Sequence, residues 1–156
     1  MAEKLVRTIY DTMVFAVQTG YLYNREDCWV AIEESTAKVG VSEYVQKSKG
    51  PVVFLETIDL GSEVKQDQDI GKIETLKATV HIFSPVAGKV IEINPRLKPK
   101  PYLINHDPYG AGWIYRIKLS NFEGDRGNLL QAEDYLAVAL VKFSERFAGI
   151  QSGVKM

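Results

Sequence analysis

The sequence holds a single cysteine, Cys28, in 156 residues. A lone thiol closes no internal disulfide, so packing and hydrogen bonds must hold the chain together, and a reducing compartment is the expected setting. Histidine is nearly as scarce, with only His81 and His106. Asp, Glu and His nowhere fall at metal-ligand spacing, which gives no expectation of a metal centre. Neither sign of charge is in excess: 19 Lys and Arg stand against 20 Asp and Glu, for a net charge of −1. At a pI near 6.1 there is no electrostatic reason to expect DNA, RNA or an anionic membrane as partner. Long apolar runs are missing too. The N-terminal stretch "MAEKLVRTIYDTMVFAVQTG" offers only the run Met13 to Val17, preceded by Asp11, which is too short for a secretory signal. Nothing in the chain is long enough to span a bilayer, and a cytoplasmic location is expected. A nucleophile–base motif and a phosphate-binding glycine loop are both absent, so nothing argues for an enzyme.

What is present reads as one globular domain, with 46 % hydrophobic and 25 % charged residues. Most of residues 20 to 120 alternates in short runs broken by turn residues. "WVAIEE" sets Trp29, Ala31 and Glu33 on one face and Val30 and Ile32 on the other. "TAKVGVS" sets Ala37, Val39 and Val41 against Lys38. "PVVFLETI" is apolar on both faces, the pattern of a strand buried on both sides. "KVIEINP" and "GWIYRIKLS" follow, the latter placing Trp113, Tyr115, Ile117 and Leu119 together. Asp107, Pro108 and Gly110 suit a tight turn. Pro85 and Gly88 are expected to turn the chain back into the core, with Gly88 at positive φ. Short strands with frequent turns predict a sandwich or flattened barrel.

Three stretches read as helix. In "SEYVQKSKG", Ser42 suits an N-cap, Lys47 and Lys49 the negative end of the dipole, and Gly50 the stop. In the tail, Leu136, Leu140, Phe143 and Phe147 fall on one stripe of a helix expected to end at Gly149. Residues 3 to 17 fit a weaker amphipathic helix through Leu5, Ile9, Met13 and Val17.

"IETLKATVHIF", residues 73 to 83, is the anomaly: a β-rich run with Lys77 near its centre. Burying that ammonium in a strand is costly or strips its proton. Breaking the run is cheaper. A tight turn over Thr75 to Ala78 makes "DIGKIE" and "TVHIF" two strands of a hairpin with Lys77 at the exposed tip. The turn contains no Gly, Asn or Pro, so local propensity opposes the geometry, and such conflicts mark functional sites. Taken alone, the stretch fits an ordinary solvated surface lysine better than a functional one.

The surroundings bear on that choice. "EDCWV", "AKVGVSEYVQ", "GPVVFLE", "LGSEVKQ", "IETLKA", "SPVAGKVIEIN", "LINHDPYGAGWIYRIK" and "LLQAEDY" occur in one order over about Leu22 to Tyr135. Together they resemble the H protein family of the glycine cleavage system, whose members are lipoyl carriers. The resemblance implies a mainly-β barrel-sandwich hybrid (lipoyl-domain-like) with a short internal helix and a C-terminal helical segment. It divides the chain into an N-terminal extension, residues 1–20, a carrier domain, residues 21–135, and a C-terminal helical extension, residues 136–156. The family's modified lysine follows a glutamate by three residues and precedes an alanine, which maps onto Glu74, Lys77 and Ala78. The implied cofactor is lipoic acid, bound covalently at Lys77.

A non-catalytic role follows from the same resemblance. The implied partners are a lipoate ligase or transferase, glycine decarboxylase, aminomethyltransferase and dihydrolipoamide dehydrogenase, with no nucleic acid and no membrane. The alternative is an H-like carrier in another pathway, such as sulfur oxidation with heterodisulfide-reductase-like complexes. A biotin carrier fits less well, since that family flanks its lysine with methionines and here Leu76 and Ala78 stand there. Several positions depart from the family: Thr75 and Leu76 replace Ser-Val, Thr79, Val80 and His81 replace small and acidic residues, and Asp27 replaces a histidine. His81 reads as a solvent-facing hairpin residue, with contact to the arm as the alternative. His106 reads as a loop-shaping residue, Cys28 as a small core residue with a redox partner of the dithiolane as the alternative, and Arg96, Lys98 and Lys100 as a solvated basic loop with steering of an acidic partner as the alternative.

Overall fold

Alternation of apolar and polar residues organises the middle of the chain into short antiparallel strands. The computed structural model describes the backbone of residues 5–10 and 13–154 and the side chains of residues 15–145. In chain order the elements are β1 (Leu5–Tyr10), β2 (Met13–Gln18), β3 (Leu22–Tyr23), β4 (Cys28–Glu33), β5 (Thr36–Val41), α1 (Glu43–Lys49), β6 (Val52–Thr57), β7 (Glu63–Val64), β8 (Asp69–Thr75), β9 (Thr79–Phe83) and β10 (Gly88–Ile93). Then follow α2 (Leu103–His106), β11 (Tyr115–Leu119), α3 (Phe122–Asp125), β12 (Leu130–Gln131) and α4 (Ala132–Val154).

Among the described residues, a seven-stranded sheet in the order β12-β3-β4-β5-β11-β10-β7 faces a three-stranded sheet in the order β6-β8-β9. The inward side chains of both fill one core: Val30, Ala37, Val39, Val90 and Ile117 from the large sheet, Ile70, Ile73 and Ile82 from the small one. Each such valine or isoleucine side chain taken fully out of water contributes about 1.5–3 kcal/mol, so this interlayer contact is a major source of stability. Tyr115 spans the two layers. Its hydroxyl donates to the Ile70 carbonyl and accepts from the Ile58 amide at 3.1 Å. Burial pushes that phenol up to about 12, so it remains a neutral donor.

A second, aromatic core lies on the outer face of the large sheet. Tyr23 and Tyr135 stack with centroids 4.5 Å apart, and Phe15, Trp29, Tyr44 and Tyr109 surround them. The Trp29 indole donates to the carbonyls of Val41 and Pro108 at 3.1 and 2.9 Å. Gly40 is there because a Cβ would stand 2.6 Å from that ring. The Tyr109 hydroxyl donates to Ala16 O at 2.5 Å and accepts from Glu43 N at 3.1 Å, bridging β2 to α1. The N-terminal hairpin and the C-terminal helix are thus fastened to the β framework by aromatic packing.

Several expectations are corrected. Residues 5–10 and 13–18 form the hairpin β1-β2 rather than a helix. Phe15, Ala16 and Val17 are all fully buried, a run that neither side of an amphipathic helix explains, because β2 is packed against both α1 and α4. The strand of "GWIYRIKLS" begins at Tyr115. Ile114 is buried in the main core, while Trp113 turns to the aromatic cluster under Lys38 and Arg116. Ser42 stands at the N-cap of α1 but makes no capping bond; its hydroxyl lies 2.6 Å from that of Tyr135 instead. Gly50 does end α1, at φ 90°. Helix α4 runs through Gly149 to Val154. Its most buried residues are Ala132, Tyr135 and Ala139, with Leu136, Leu140 and Phe143 partly buried beside them. Phe147 lies outside the described side chains. Gly88 does not take a positive φ: the glycine is required because a Cβ would stand 2.1 Å from the Lys118 carbonyl oxygen.

Candidate carrier site at the hairpin tip

The expected hairpin is formed. β8 and β9 pair in the register Glu74↔Thr79, Ile73↔Val80 and Lys72↔His81, leaving Thr75 to Ala78 as the turn. Its geometry answers the missing Gly, Asn or Pro. Thr75 N donates to Ala78 O at 2.9 Å. The Thr75 hydroxyl accepts from Lys77 N at 3.2 Å and Ala78 N at 3.0 Å, and donates to Ala78 O at 3.1 Å. One side chain therefore satisfies the inward-facing polar groups of the turn, which is how a Ser or Thr hydroxyl replaces turn-forming residues. Thr75 is buried while Leu76 is 75 % exposed and Lys77 is exposed.

Lys77 is held at the apex with its amine in solvent, and it makes no ion pair among the described residues. Its Cδ lies 3.9 Å from the point where a Cβ on Gly50 would stand, so the aliphatic stem leans past the end of α1. The side chain of Glu74 does not approach Lys77; it pairs with Lys72 at 3.6 Å, and Lys72 also reaches Glu56 at 4.0 Å. Ala78 acts through its backbone, closing the turn on Thr75. Glu74 and Ala78 thus frame the lysine without acting on its amine.

His81 is half exposed but not free. Its Nδ1 lies 2.8 Å from Asp69 Oδ2, an ion pair when the ring is protonated, and its ring sits 6.3 Å from that of Phe83. At the foot of the hairpin a hollow of about 430 Å³ opens among Asn24, Arg25, Glu26, Asp67, Phe83 and Asn128. Beside it the turn before β4 is pinned. Asp27, at φ 71°, accepts from the Tyr135 hydroxyl at 2.7 Å and from Lys142 at 3.1 Å. Burial, with the Asp27 charge adding to it, raises the Tyr135 phenol well above its usual range and keeps it a donor. Cys28 is fully buried, and desolvation pushes its thiol up to about 12, so it has none of the thiolate character that redox exchange requires. His106 closes α2 with its ring against Tyr102. Arg96, Lys98 and Lys100 are exposed on the loop after β10. Among the described residues no group of His, Cys, Asp and Glu is placed to hold a metal ion.

Sequence reasoning found the lysine and its turn but not Thr75. The signal was present: a hydroxyl at the first position of a turn lacking Gly, Asn and Pro.

The β framework holds one exposed lysine side chain at the apex of a hairpin, within reach of other proteins. A family model described as glycine cleavage H-protein matches residues 21–142. The chain is 40 % identical over 113 residues to a glycine cleavage system H protein of Symbiobacterium thermophilum, covering 72 % of this chain and 88 % of the relative. It is 38 % identical over 123 residues to a probable glycine cleavage system H protein 1 of Saccharolobus solfataricus, covering 78 % and 90 %. The fold is similar to that of a glycine cleavage system H protein from Mycobacterium marinum, solved by crystallography, with a TM-score of 0.69 at 24 % identity over 78 % of this chain and 97 % of that one. The chain belongs to the glycine cleavage H-protein family. No helix among its described residues is long and apolar enough to cross a membrane.

Proposed function

We propose that Lys77 Nζ is the attachment point for lipoic acid and that the chain serves as the lipoyl carrier of the glycine cleavage system. The observation that carries this reading is the tip itself, an exposed lysine amine held at the apex of a turn built by the Thr75 hydroxyl. The residues present fit the group. A lipoyl amide needs a primary amine that can lose a proton and attack an activated acyl carbon, and an amine in water at a protruding tip meets that need. Small Ala78 and exposed Leu76 leave room for a ligase or transferase to close around it. When bound, lipoate supplies a dithiolane able to take up an aminomethyl group and be reoxidised.

The chain's own residues catalyse no bond change in this reading. Thr75 fixes the direction of the stem, Gly50 leaves space beside it, and the paired sheets keep the tip from collapsing. Tethering replaces diffusion by a high effective concentration at each enzyme visited. Those enzymes are glycine decarboxylase, aminomethyltransferase and dihydrolipoamide dehydrogenase. In this reading residues 21–135 are the carrier and residues 1–20 and 136–156 are extensions; Phe15 and Val17 of the first and Ala139 of the second are buried in the aromatic core. The lone, buried Cys28 agrees with a cytoplasmic location.

The test is reconstitution. Lipoylated protein combined with the three enzymes should support glycine-dependent NADH formation, and Lys77→Arg should abolish it while leaving the fold intact. Activity retained by Lys77→Arg contradicts the proposal.

A further inference from the structure

The run "PVVFLETI" fails its expected burial. Val53 and Phe54 are each 51 % exposed, because β6 is the edge strand of the three-stranded sheet. Its two ends are tied: Val52 N donates to Asn105 Oδ1 at 2.8 Å, and Ile58 N donates to the Tyr115 hydroxyl at 3.1 Å. Between them, residues 53–57 make no backbone hydrogen bond among the described residues beyond the ladder with β8. An open edge bearing apolar side chains is a template for a further strand, and proteins ordinarily block it with charge, proline or a bulge. Here Pro51 and the bulge between Val52 and Phe54 guard only one end.

Along this edge runs a groove of about 490 Å³, with Leu55, Ile93, Leu97 and Pro101 among the residues lining it. The loop forming its far side carries Arg96, Lys98 and Lys100, all exposed and none in an ion pair among the described residues. On the β6 side, Glu56 shares Lys72 with Glu74, so one acidic charge there is set against the three cations of the loop. The net charge beside the groove is therefore positive, which selects an acidic occupant. The place matters as well. Val52 pairs with Thr75, so a segment bound along β6 lies one strand away from the turn that carries Lys77.

We propose that the β6 edge and this groove are the docking surface for an extended acidic segment of a partner protein that acts on the group borne by Lys77. The segment adds a strand to β6, lays alternate apolar side chains over Leu55 and Ile93, and presents its carboxylates to Arg96, Lys98 and Lys100. Only the identity of the partner as an enzyme served by the carrier rests on the proposed function. The docking chemistry does not.

The experiment is an amide NMR titration of the full chain with a short capped peptide alternating glutamate and valine, and with a counterpart bearing lysine at each glutamate. The acidic peptide should give saturable shifts confined to residues 53–57 and the loop 93–101, and the lysine peptide should bind at least about tenfold more weakly. Lys98→Glu combined with Lys100→Glu, both on an exposed loop, should weaken the acidic peptide about tenfold and raise the affinity of the lysine peptide. No saturable shift, equal binding of the two peptides, shifts centred elsewhere, or a double variant that binds normally would each overturn the proposal. So would concentration-dependent shifts of the same amides without peptide, which would assign the edge to a second copy of the chain. Lipoylation by a lipoate ligase is measured in parallel. Normal modification of Lys77 without peptide binding overturns docking alone; peptide binding without modification overturns the carrier reading alone.

Discussion

Thr75→Val removes one oxygen and leaves the strand otherwise as it is. Valine keeps the β-branched shape at a buried position, and the Thr75 N to Ala78 O bond survives. Lost are the two bonds accepted from Lys77 N and Ala78 N and the one donated to Ala78 O. The tip is exposed, so the released amides turn to water rather than standing buried and unpaired. Each bond then counts at its net value of about 0.5–1.5 kcal/mol, not at the desolvation penalty. The bonds share one hydroxyl and do not add fully, which leaves about 1–2 kcal/mol on closure of the turn and little on global stability. A shift of that size lowers the ratio of closed to open tips about 5–30-fold. If a lipoate ligase takes the closed tip, kcat/KM for modification should fall with the closed fraction, by up to that factor where the open tip comes to predominate, and Thr75→Ser should restore it to within about threefold. The assay pairs ligase kinetics with hydrogen exchange at the amides of Lys77 and Ala78. Faster exchange at both, an unchanged thermal midpoint and slower modification are the expected set. Modification of Thr75→Val at the wild-type rate with unchanged exchange would refute the argument that this hydroxyl builds the site.

Two further outcomes follow from packing and burial. Gly88→Val should destabilise the protein by about 2–4 kcal/mol, since its Cβ would meet the Lys118 carbonyl at 2.1 Å and backbone would have to move; an unchanged denaturant midpoint contradicts this. Cys28 is an acid whose folded value is raised, from 9.0 to about 12, so the fold favours its protonated form. The stability it contributes is complete below pH 9 and is lost as pH rises toward 12. Between those limits the stability of the fold should fall by up to about 1.4 kcal/mol per pH unit from this group. Cys28→Ala should flatten that limb in denaturant melts, and identical slopes in the two proteins would contradict the assignment.

The strands and the lysine hairpin were legible because alternation and turn chemistry are local. Lys38 pointing away from Ala37 and Val39, or Lys77 interrupting a β-branched run, needs no knowledge of the rest of the fold. What was missed depends on neighbours distant in sequence. The spacing of Leu5, Ile9, Met13 and Val17 suits a helix, but packing against α1 and α4 makes β2 a strand that buries Phe15, Ala16 and Val17 in succession. Ser42 carries the sequence of a cap, yet its hydroxyl is taken by Tyr135, 93 positions away. "PVVFLETI" has the composition of a central strand and lies at an edge, a difference set by sheet order alone. Gly149 reads as a helix stop, but glycine only weakens a helix interior by about 1 kcal/mol, and α4 continues past it. At the tip, the two framing residues came from family resemblance, while the residue that shapes the turn came only from atomic contacts.

The central claim is that Lys77 carries the lipoyl group, and peptide-level mass mapping of protein exposed to a lipoate ligase tests it most directly. The account predicts a single lipoyl adduct on the peptide containing Lys77, with Lys72 and Lys89 unmodified and no adduct on the Lys77→Arg protein. An adduct on another lysine, or none on wild-type protein under conditions that modify an established carrier, would contradict it.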